Sequence, residues 1–349
     1  MTLIKGTYSH SGDFELERGS TLSDVELVFH SSVPKEEIAA SIESGAKVIW
    51  ICHALTANSD PSDWWEDLVG SGKFFDTQKD IIICANTLGS CYGSTSPSNW
   101  GGKPLDFPIF SVRDIVKGHI ELRKFLGIDS IDILIGASVG GFQSLEWAVT
   151  EPEVIKNLIL IACNERITPW ATALNESQRL AIRADKTFEE QSSLAGGWDG
   201  LIAARSIALL SYRSYSGYNL TQSEMSDECY QATRAASYQS YQGEKLANRF
   251  DAYSYYYMTL MLDTHNIGRG RGGTNEALER VTARTLVVAI DSDILFPPKE
   301  LQRLSKLIPN ARYEEISSAF GHDGFLIEWQ KLTQIITNFL KGIFRSPLK

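Results

Sequence analysis

Residues 131–147 run Ile131-Asp-Ile-Leu-Ile-Gly136-Ala-Ser138-Val-Gly140-Gly-Phe-Gln-Ser-Leu-Glu-Trp147. A short apolar run is followed by Gly-x-Ser-x-Gly and then by apolar residues at helical spacing. This order predicts a nucleophile elbow, in which a strand turns sharply into a helix and presents a serine at the tip. Side chains at Gly136 and Gly140 would collide with the neighbouring strand and helix, and glycine also tolerates the strained backbone angles of such a turn. The Ser138 hydroxyl would lie near the positive end of a helix dipole, where developing negative charge is stabilised.

Apolar, β-branched runs recur on both sides of this elbow and predict buried strands. They are Lys47–Cys52, Asp80–Cys84, Ile131–Ile135, Leu158–Ala162 and Thr285–Ala289. All are apolar throughout, as is typical of parallel strands covered on both faces. Helical spacing over Ser111–Leu126 and Gln143–Thr150 separates them, so we expect a mostly parallel, doubly wound α/β sheet. The runs at 14–17 and 25–29 alternate instead, which predicts an antiparallel hairpin at the sheet edge.

The alternation of strands and helices stops between residues 164 and 283. This segment is rich in Ala, Gln, Arg, Tyr and Ser with helical spacing, as in Gly200–Leu210. We therefore expect a core made of residues 1–163 and 284–349, interrupted by a helical lid insertion over 164–283. The insertion would cover the carboxyl-terminal edge of the sheet, where ligands bind in open α/β sheets.

Composition narrows the class of protein. The formal net charge of −10 argues against a nucleic-acid partner. No apolar run is long enough to cross a bilayer, and the first residues lack the basic and apolar segments of a secretory signal. The five cysteines are odd in number, which favours reduced thiols in a cytoplasmic protein. No Cys-x-x-Cys is present and the histidines are scattered, so we expect no metal site.

An elbow serine needs a general base and a group that orients the base. In α/β folds with a nucleophile elbow, the chain order of the three residues is serine, acid, histidine. Two histidines follow Ser138. His322 lies in a glycine-bracketed loop after a strand-like run, whereas His265 lies in the helical insertion, where we expect a capping or surface role. Asp291 and Asp293 both follow the penultimate predicted strand, and position alone leaves both as candidates for the acid.

An oxyanion hole requires two backbone N–H groups that point at the developing charge. Val139, the residue after the nucleophile, is expected to supply one of them. The other should come from the loop 53–58, which follows the strand-like run at 47–52, and we assign it to Leu55. His53 is expected to order this loop.

Two other glycine-containing segments resemble phosphate-binding motifs only by their letters. Gly268–Gly273 fits Gly-x-Gly-x-x-Gly, but it follows helical sequence, and no predicted strand precedes it as dinucleotide binding requires. Gly70–Lys73 lacks the upstream glycine and the following Ser or Thr of a phosphate-binding loop. We therefore expect turns in both places.

Taken together, these motifs resemble the homoserine O-acyltransferases, specifically the homoserine O-acetyltransferase branch of the α/β-hydrolase superfamily. The matching stretches span nearly the whole chain: His53–Thr56, Asp60–Trp65, Cys84–Thr95, Gly136–Gln143, Tyr241–Lys245, Asn266–Gly273, Ser292–Pro297 and Gly321–Asp323. The elbow departs from the family pattern, with Gly-Ala-Ser-Val-Gly-Gly in place of the usual Gly-Gly-Ser-Met-Gly-Gly. The segment 97–103 is shorter than the usual loop. These departures concern fine specificity more than mechanism.

The resemblance implies a role for each residue that matches the family's motifs. Ser138 would be the nucleophile, Asp293 the orienting acid and His322 the base. Arg205 and Asp323 would contact the substrate. This agrees with the charges of homoserine, because a guanidinium suits its carboxylate and a carboxylate suits its ammonium.

The implied reaction moves an acetyl group from acetyl-CoA to the side-chain hydroxyl of L-homoserine, through an acyl-serine and with ping-pong kinetics, in methionine biosynthesis. The resemblance implies no metal or bound cofactor, and a homodimer formed through the helical insertion. The residues leave open a homoserine O-succinyltransferase, a serine O-acyltransferase and a serine esterase of the same fold. A catalytically inactive α/β-hydrolase that serves as a binding module is a further alternative, although an intact serine, aspartate and histidine oppose it.

Overall fold

The computed structural model describes residues 3–343. Its strands are β1 (Ile4–Ser9), β2 (Phe14–Glu15), β3 (Thr21–Leu22), β4 (Glu26–Ser31), β5 (Val48–Cys52), β6 (Val69–Gly70), β7 (Phe75–Asp76), β8 (Ile81–Ala85), β9 (Ile133–Ala137), β10 (Asn157–Ile161), β11 (Arg284–Ile290) and β12 (Ala311–Ile316). Its α-helices are α1 (Ile38–Glu43), α2 (Pro61–Trp64), α3 (Val112–Phe125), α4 (Val139–Thr150), α5 (Pro169–Ala184), α6 (Lys186–Glu190), α7 (Trp198–Tyr212), α8 (Tyr215–Gln222), α9 (Arg234–Ala247), α10 (Ala252–Asp263), α11 (Thr274–Leu278), α12 (Pro298–Leu307), α13 (Gly324–Ile327) and α14 (Trp329–Leu340). Short 3₁₀ turns lie at Lys35–Glu37, Pro104–Asp106, Pro152–Val154 and Gly321–Asp323.

Eight of the strands form one sheet in the order β1-β4-β8-β5-β9-β10-β11-β12. The pairs β1–β4 and β4–β8 are antiparallel, and the remaining neighbours are parallel. The predicted mostly parallel, doubly wound sheet is therefore confirmed. The strand β9 lies between β5 and β10, so the residue that follows it emerges near the middle of the carboxyl-terminal edge.

The central strands are buried because helices cover both faces of the sheet. Every residue of β5, β8 and β9 is buried, as their continuous apolar sequence predicts. On one face the core includes apolar residues of α3, α4 and α12, and on the other it includes those of α14. Trp50 of β5 and Trp147 of α4 pack edge to face, with ring centroids 5.0 Å apart. Packing of this kind fixes α4, and with it the elbow, against the sheet.

The predicted N-terminal hairpin is wrong in its pairing. The edge partner of β4 is β1, in a six-residue antiparallel ladder, and the segment at Phe14 does not pair with β4. Instead Phe14 lies opposite Leu22 in a separate two-stranded ribbon. Both side chains are buried in the core. The alternation of apolar and polar residues does not decide which strand becomes the partner. Here the burial of Phe14 and Leu22 directs this segment away from the main sheet after two residues.

Seven helices, α5–α11, occupy the chain between β10 and β11. The β-type pairing within this stretch is limited to an isolated bridge between Arg166 and Asn266. The helical spacing of the sequence is therefore realised as helices. The strands β10 and β11 remain direct, parallel neighbours in the sheet, so the helical segment leaves at the carboxyl-terminal end of β10 and returns to the amino-terminal end of β11.

Candidate active site

The elbow places Ser138 between β9 and α4 with φ +57° and ψ −125°. A Cβ at Gly136 would lie 2.1 Å from the Gly140 carbonyl oxygen, and one at Gly140 would lie 2.1 Å from the carbonyl oxygen of Cys52. The collisions expected for these glycines are therefore present. The expectation of strained angles at the glycines is wrong, because the positive φ falls on Ser138 itself. Strain at a reactive side chain is a feature of functional turns.

His322 and Asp293 form a buried pair, each about 3% exposed. The Nδ1 atom of His322 lies 2.7 Å from Oδ2 of Asp293. The other carboxylate oxygen accepts the backbone N–H groups of Leu295 and Phe296, at 2.8 and 3.0 Å. Burial lowers the pKa of His322, but the charge and hydrogen bond of Asp293, with the charge of Asp323, raise it above its ordinary value.

Asp291, the other candidate acid, lies apart from this pair. It is exposed, and its carboxylate accepts the backbone N–H of Ser318 at 2.9 Å. Sequence position alone does not separate the two aspartates, because both follow β11. The geometry separates them, since the imidazole of His322 contacts Asp293 and the carboxylate of Asp291 ties down the loop that precedes the histidine.

The end of α7 holds the loop that carries His322. Gly321 has φ +65°, and a Cβ there would lie 2.7 Å from the carbonyl carbon of Arg213. The hydroxyl of Ser214 donates a hydrogen bond to the carbonyl oxygen of Ala319. A side chain at Gly321 would therefore push the histidine loop away from the helical segment.

Ser138 and His322 line one cavity of about 580 Å³. Arg205, Asp323 and Leu55 line the same cavity. Within residues 3–343, the side-chain hydrogen bonding of His322 is confined to Nδ1, so Nε2 stays available to a group in the cavity. A serine hydroxyl and an imidazole that share a pocket can act as nucleophile and general base, and such contacts often tighten only when substrate binds.

The two N–H groups predicted to form an oxyanion hole belong to Leu55 and Val139. Among the described residues, neither the Leu55 N–H nor the Val139 N–H donates a backbone hydrogen bond. Both residues also line a second, smaller cavity together with Ser138. His53 orders the loop as expected: its Nδ1 lies 2.8 Å from the carbonyl oxygen of Ala54, and its Nε2 accepts the Thr87 N–H at 3.1 Å. Burial lowers the pKa of His53 to about 4, so the ring is neutral.

Arg205 reaches the cavity from α7. Its guanidinium carbon lies 5.2 Å from the ring centroid of Tyr212, a residue that sequence reasoning missed. The two residues are two helical turns apart, so they share a face of α7; this spacing is the signal that could have found the tyrosine. The Arg205 Nε is buried and has no hydrogen-bond partner among the described residues. An unpaired buried donor of this kind is available to an anionic ligand.

Asp323 faces the same cavity and pairs with Arg213, another residue that sequence reasoning missed. The Arg213 Nε lies 3.3 Å from Oδ2 of Asp323. Burial raises the pKa of Asp323 above its ordinary value, although the charges of Arg213, Arg205 and His322 oppose that rise. A cationic group of a ligand beside this carboxylate would favour its ionised form further.

The expected capping or surface role of His265 is wrong. Its ring is buried and stacks on Phe142 of α4, with centroids 3.9 Å apart, and its Nε2 lies 2.9 Å from the Asn164 carbonyl oxygen. Burial lowers its pKa to about 3. The polar sequence around His265 gave no sign of this, because the contact depends on packing between the helical segment and the elbow helix.

The glycine-rich segment 268–273 is a turn that carries two ion-paired arginines. Arg271 binds the carboxylate of Glu146, which is buried on α4. Arg269 pairs with Glu17 at 2.8 Å. Because the segment joins the N-terminal region to α4 and no strand precedes it, its role is structural and the dinucleotide motif stays excluded.

Within residues 3–343, no group of three or more His, Cys, Asp or Glu side chains is arranged to hold a metal ion. In the same residues, no helix combines the length and the apolar character needed to span a bilayer.

Comparison with known proteins identifies the fold and the family of this chain. The family model of the α/β hydrolase fold matches residues 47–328, so the elbow serine and the His–Asp pair lie in an α/β-hydrolase. A curated homoserine O-acetyltransferase from Cyclobacterium marinum is 43% identical over 93% of this chain and 92% of its own length. The chain belongs to the homoserine O-acetyltransferase family.

Solved structures agree on the fold. That of homoserine O-acetyltransferase from Bacillus anthracis matches 97% of this chain and 98% of its own with a TM-score of 0.85, at 22% identity. An acetylester hydrolase from Corynebacterium glutamicum matches 98% of this chain and 96% of its own with a TM-score of 0.82, at 23% identity. The fold is therefore shared by solved proteins that are named for acetyl transfer and for acetyl-ester hydrolysis.

Proposed function

We propose that this protein transfers an acetyl group from acetyl-CoA to the side-chain hydroxyl of L-homoserine. The observation that carries the proposal is one cavity lined by an elbow serine, a buried His–Asp pair, an arginine with a free donor and a carboxylate. The names of the curated relatives support the acetyl group and the homoserine acceptor.

In the first half-reaction, His322 removes the proton of Ser138 as its Oγ attacks the thioester carbon of acetyl-CoA. Asp293 holds the imidazole through Nδ1 and stabilises its protonated form. The oxyanion accepts hydrogen bonds from the N–H groups of Leu55 and Val139. The carbon–sulfur bond then breaks, the proton passes from His322 to the CoA thiolate, and an acetyl ester remains on Ser138.

In the second half-reaction, homoserine enters the cavity that CoA has left. The Arg205 guanidinium binds its carboxylate, and Asp323 binds its ammonium. His322 takes the proton of the homoserine hydroxyl, whose oxygen attacks the acetyl carbon. The ester bond to Ser138 breaks, the serine recovers the proton, and O-acetyl-L-homoserine leaves. The kinetics are therefore ping-pong.

Mass spectrometry of the intact protein after incubation with acetyl-CoA alone tests the proposal. One acetyl group mapped to Ser138, which disappears when homoserine is added, supports it. Steady release of CoA without any amino acid would instead assign hydrolysis, and faster acylation by succinyl-CoA would overturn the choice of donor. A preference for serine over homoserine at equal concentration would overturn the choice of acceptor.

We also propose that residues 164–283 act as a lid on a core formed by the rest of the chain, and that two copies associate through this lid. Large apolar side chains are exposed on it, among them Leu210, Tyr215 and Leu220, the last two 86% and 71% exposed. Contiguous apolar surface marks association sites, and Tyr215 and Leu220 lie on the same short helix, α8. Analytical ultracentrifugation should give a dimer, and Leu220→Glu should shift it towards monomer; a wild-type monomer at micromolar concentration would contradict the proposal.

A cytoplasmic location suits a CoA thioester as substrate and stays a prediction.

A further inference from the structure

Two cavities of different size and character meet at Ser138. The larger one, of about 580 Å³, is lined by the charged side chains of Arg205 and Asp323. The smaller one, of about 30 Å³, also touches Ser138, but none of the described residues that line it carries a charge. The mechanism proposed above uses only the first of these spaces.

The walls of the small cavity are apolar in effect. Leu174 of α5 and Leu262 of α10 line it, as do the aromatic residue Tyr212 and three amide or hydroxyl side chains of the helical segment. These polar groups are already engaged, since Asn175 donates to Asp263 at 2.8 Å, Gln178 accepts from the Tyr255 hydroxyl at 2.6 Å, and Ser211 donates to the Ala208 carbonyl at 2.7 Å. A ligand in this space would therefore meet mainly hydrocarbon.

The tetrahedral intermediate needs a place for each of its four substituents. One is Oγ of Ser138, and a second is the oxyanion at the N–H groups of Leu55 and Val139. The third is the sulfur of CoA or the oxygen of homoserine, which must face the large cavity near His322. The fourth is the acyl chain. Since Ser138, Leu55 and Val139 all line the small cavity, it is the space that remains for that chain.

We infer that the small cavity is the acyl pocket, and that Leu174 and Leu262 limit the donor to an acetyl thioester. The inference rests on the proposed acyl transfer through Ser138. A water molecule needs about 10–15 Å³ of cavity, and a methyl group is about twice that size, so a space of about 30 Å³ holds the methyl of an acetyl group and little more. A succinyl chain would add a methylene and a carboxylate, for which the pocket provides neither room nor a cation.

The experiment measures acylation of the full-length protein by acetyl-, propionyl-, butyryl- and succinyl-CoA, from the initial release of CoA and from the mass of the acyl-enzyme. In the wild type, each added methylene should lower kcat/KM about tenfold or more, and succinyl-CoA should be the poorest donor. In Leu174→Ala and Leu262→Ala, the ratio of butyryl to acetyl kcat/KM should rise at least about tenfold. Leu180→Ala is the matched control, because this leucine lies on α5 as well but is exposed.

Each outcome bears on one claim. If the wild type forms no acyl-enzyme with any donor, the proposed function itself fails. If it is acylated by acetyl-CoA but accepts butyryl- or succinyl-CoA equally well, the transfer stands and the acyl pocket is wrong; this measurement needs no variant to fold. An unchanged donor ratio in both folded leucine variants, or the same change in Leu180→Ala, also overturns the pocket.

Discussion

The rim of the sheet and the helical segment between β10 and β11 contribute different things to one cavity. The rim supplies Ser138, Asp293 and His322 from loops that follow β9, β11 and β12, and the acid and base are already hydrogen-bonded to each other. The helical segment supplies Arg205, whose Nε has no hydrogen-bond partner among the described residues, and apolar side chains exposed on its surface. At the rim the proposed acid and base are already paired, whereas this Nε and these apolar side chains are available to a ligand or a partner.

This difference suggests that the rim makes and breaks bonds, whereas the helical segment recognises the substrate. Bond making needs groups held in fixed geometry, which neighbouring parallel strands provide because their carboxyl ends meet at one edge. Recognition needs groups whose hydrogen bonds are made only in the complex. We therefore expect substitutions at the rim to act on rate, and substitutions in the helical segment to act on substrate choice.

The largest effect should come from Ser138→Ala. The reaction loses its nucleophile, so kcat should fall by at least about 10⁴-fold and acetylation of the protein should vanish. Ser177→Ala, at an exposed position of α5, is the control and should keep full activity. Acetylation that persists in the Ser138 variant would show that another residue is the nucleophile. The rim would then not be the region that makes the bond.

Asp293→Asn should lower kcat by about 10³- to 10⁴-fold, because the imidazole loses the carboxylate that orients it. The base must be neutral, so activity rises with pH through the pKa of His322. That pKa is raised by Asp293, which places the acidic limb of the kcat/KM profile above about 6.5 in the wild type and at lower pH in the variant. Asp291→Asn is the matched control, and it should change neither kcat nor the acidic limb of the kcat/KM profile. The reverse pattern would assign the acid to Asp291.

Arg205→Gln should raise the KM for homoserine by about 10- to 100-fold, since a charged hydrogen bond contributes about 1.5–3 kcal/mol. The first half-reaction, followed as acetylation by acetyl-CoA alone, should be unaffected. Arg205→Lys should recover part of the affinity, because it keeps the charge without the planar fork. Loss of the acetylation step in the glutamine variant would mean that the helical segment also takes part in bond making.

The smallest effect on activity should come from Arg271→Gln in the glycine-rich turn. The buried Glu146 loses one cation and keeps Arg113 at 3.4 Å, so the free energy of unfolding should fall by about 1–3 kcal/mol. Urea denaturation measures the change, and the exposed Arg280→Gln serves as its control. A fall in kcat without a fall in stability would show that the turn is coupled to the active site.

Much of the rim was predictable because its signals are local. The elbow needs glycine at two positions close to its serine, because a Cβ at Gly136 or Gly140 would collide with a backbone carbonyl group. The buried parallel strands are mostly apolar runs, and the end of β11 locates the two candidate acids. The histidine follows β12, a more polar strand at the edge of the sheet. The sequence did not predict which strands pair at the edge of the sheet. The strand β4 pairs with β1 and not with the segment at Phe14. An alternating pattern of apolar and polar residues does not specify which neighbour a strand takes.

The linear order of residues was enough for the α/β class, the elbow, the order of serine, acid and histidine, and the family, since each rests on short-range spacing or on matching motifs. The matching motif implied Asp293 as the acid, but only the folded chain paired it with His322, buried His265 against Phe142, brought Arg213 to Asp323 and formed a small apolar space beside Ser138. Those features arise from side chains that are distant in sequence. Their contacts depend on how helices pack on the sheet, which no local pattern specifies.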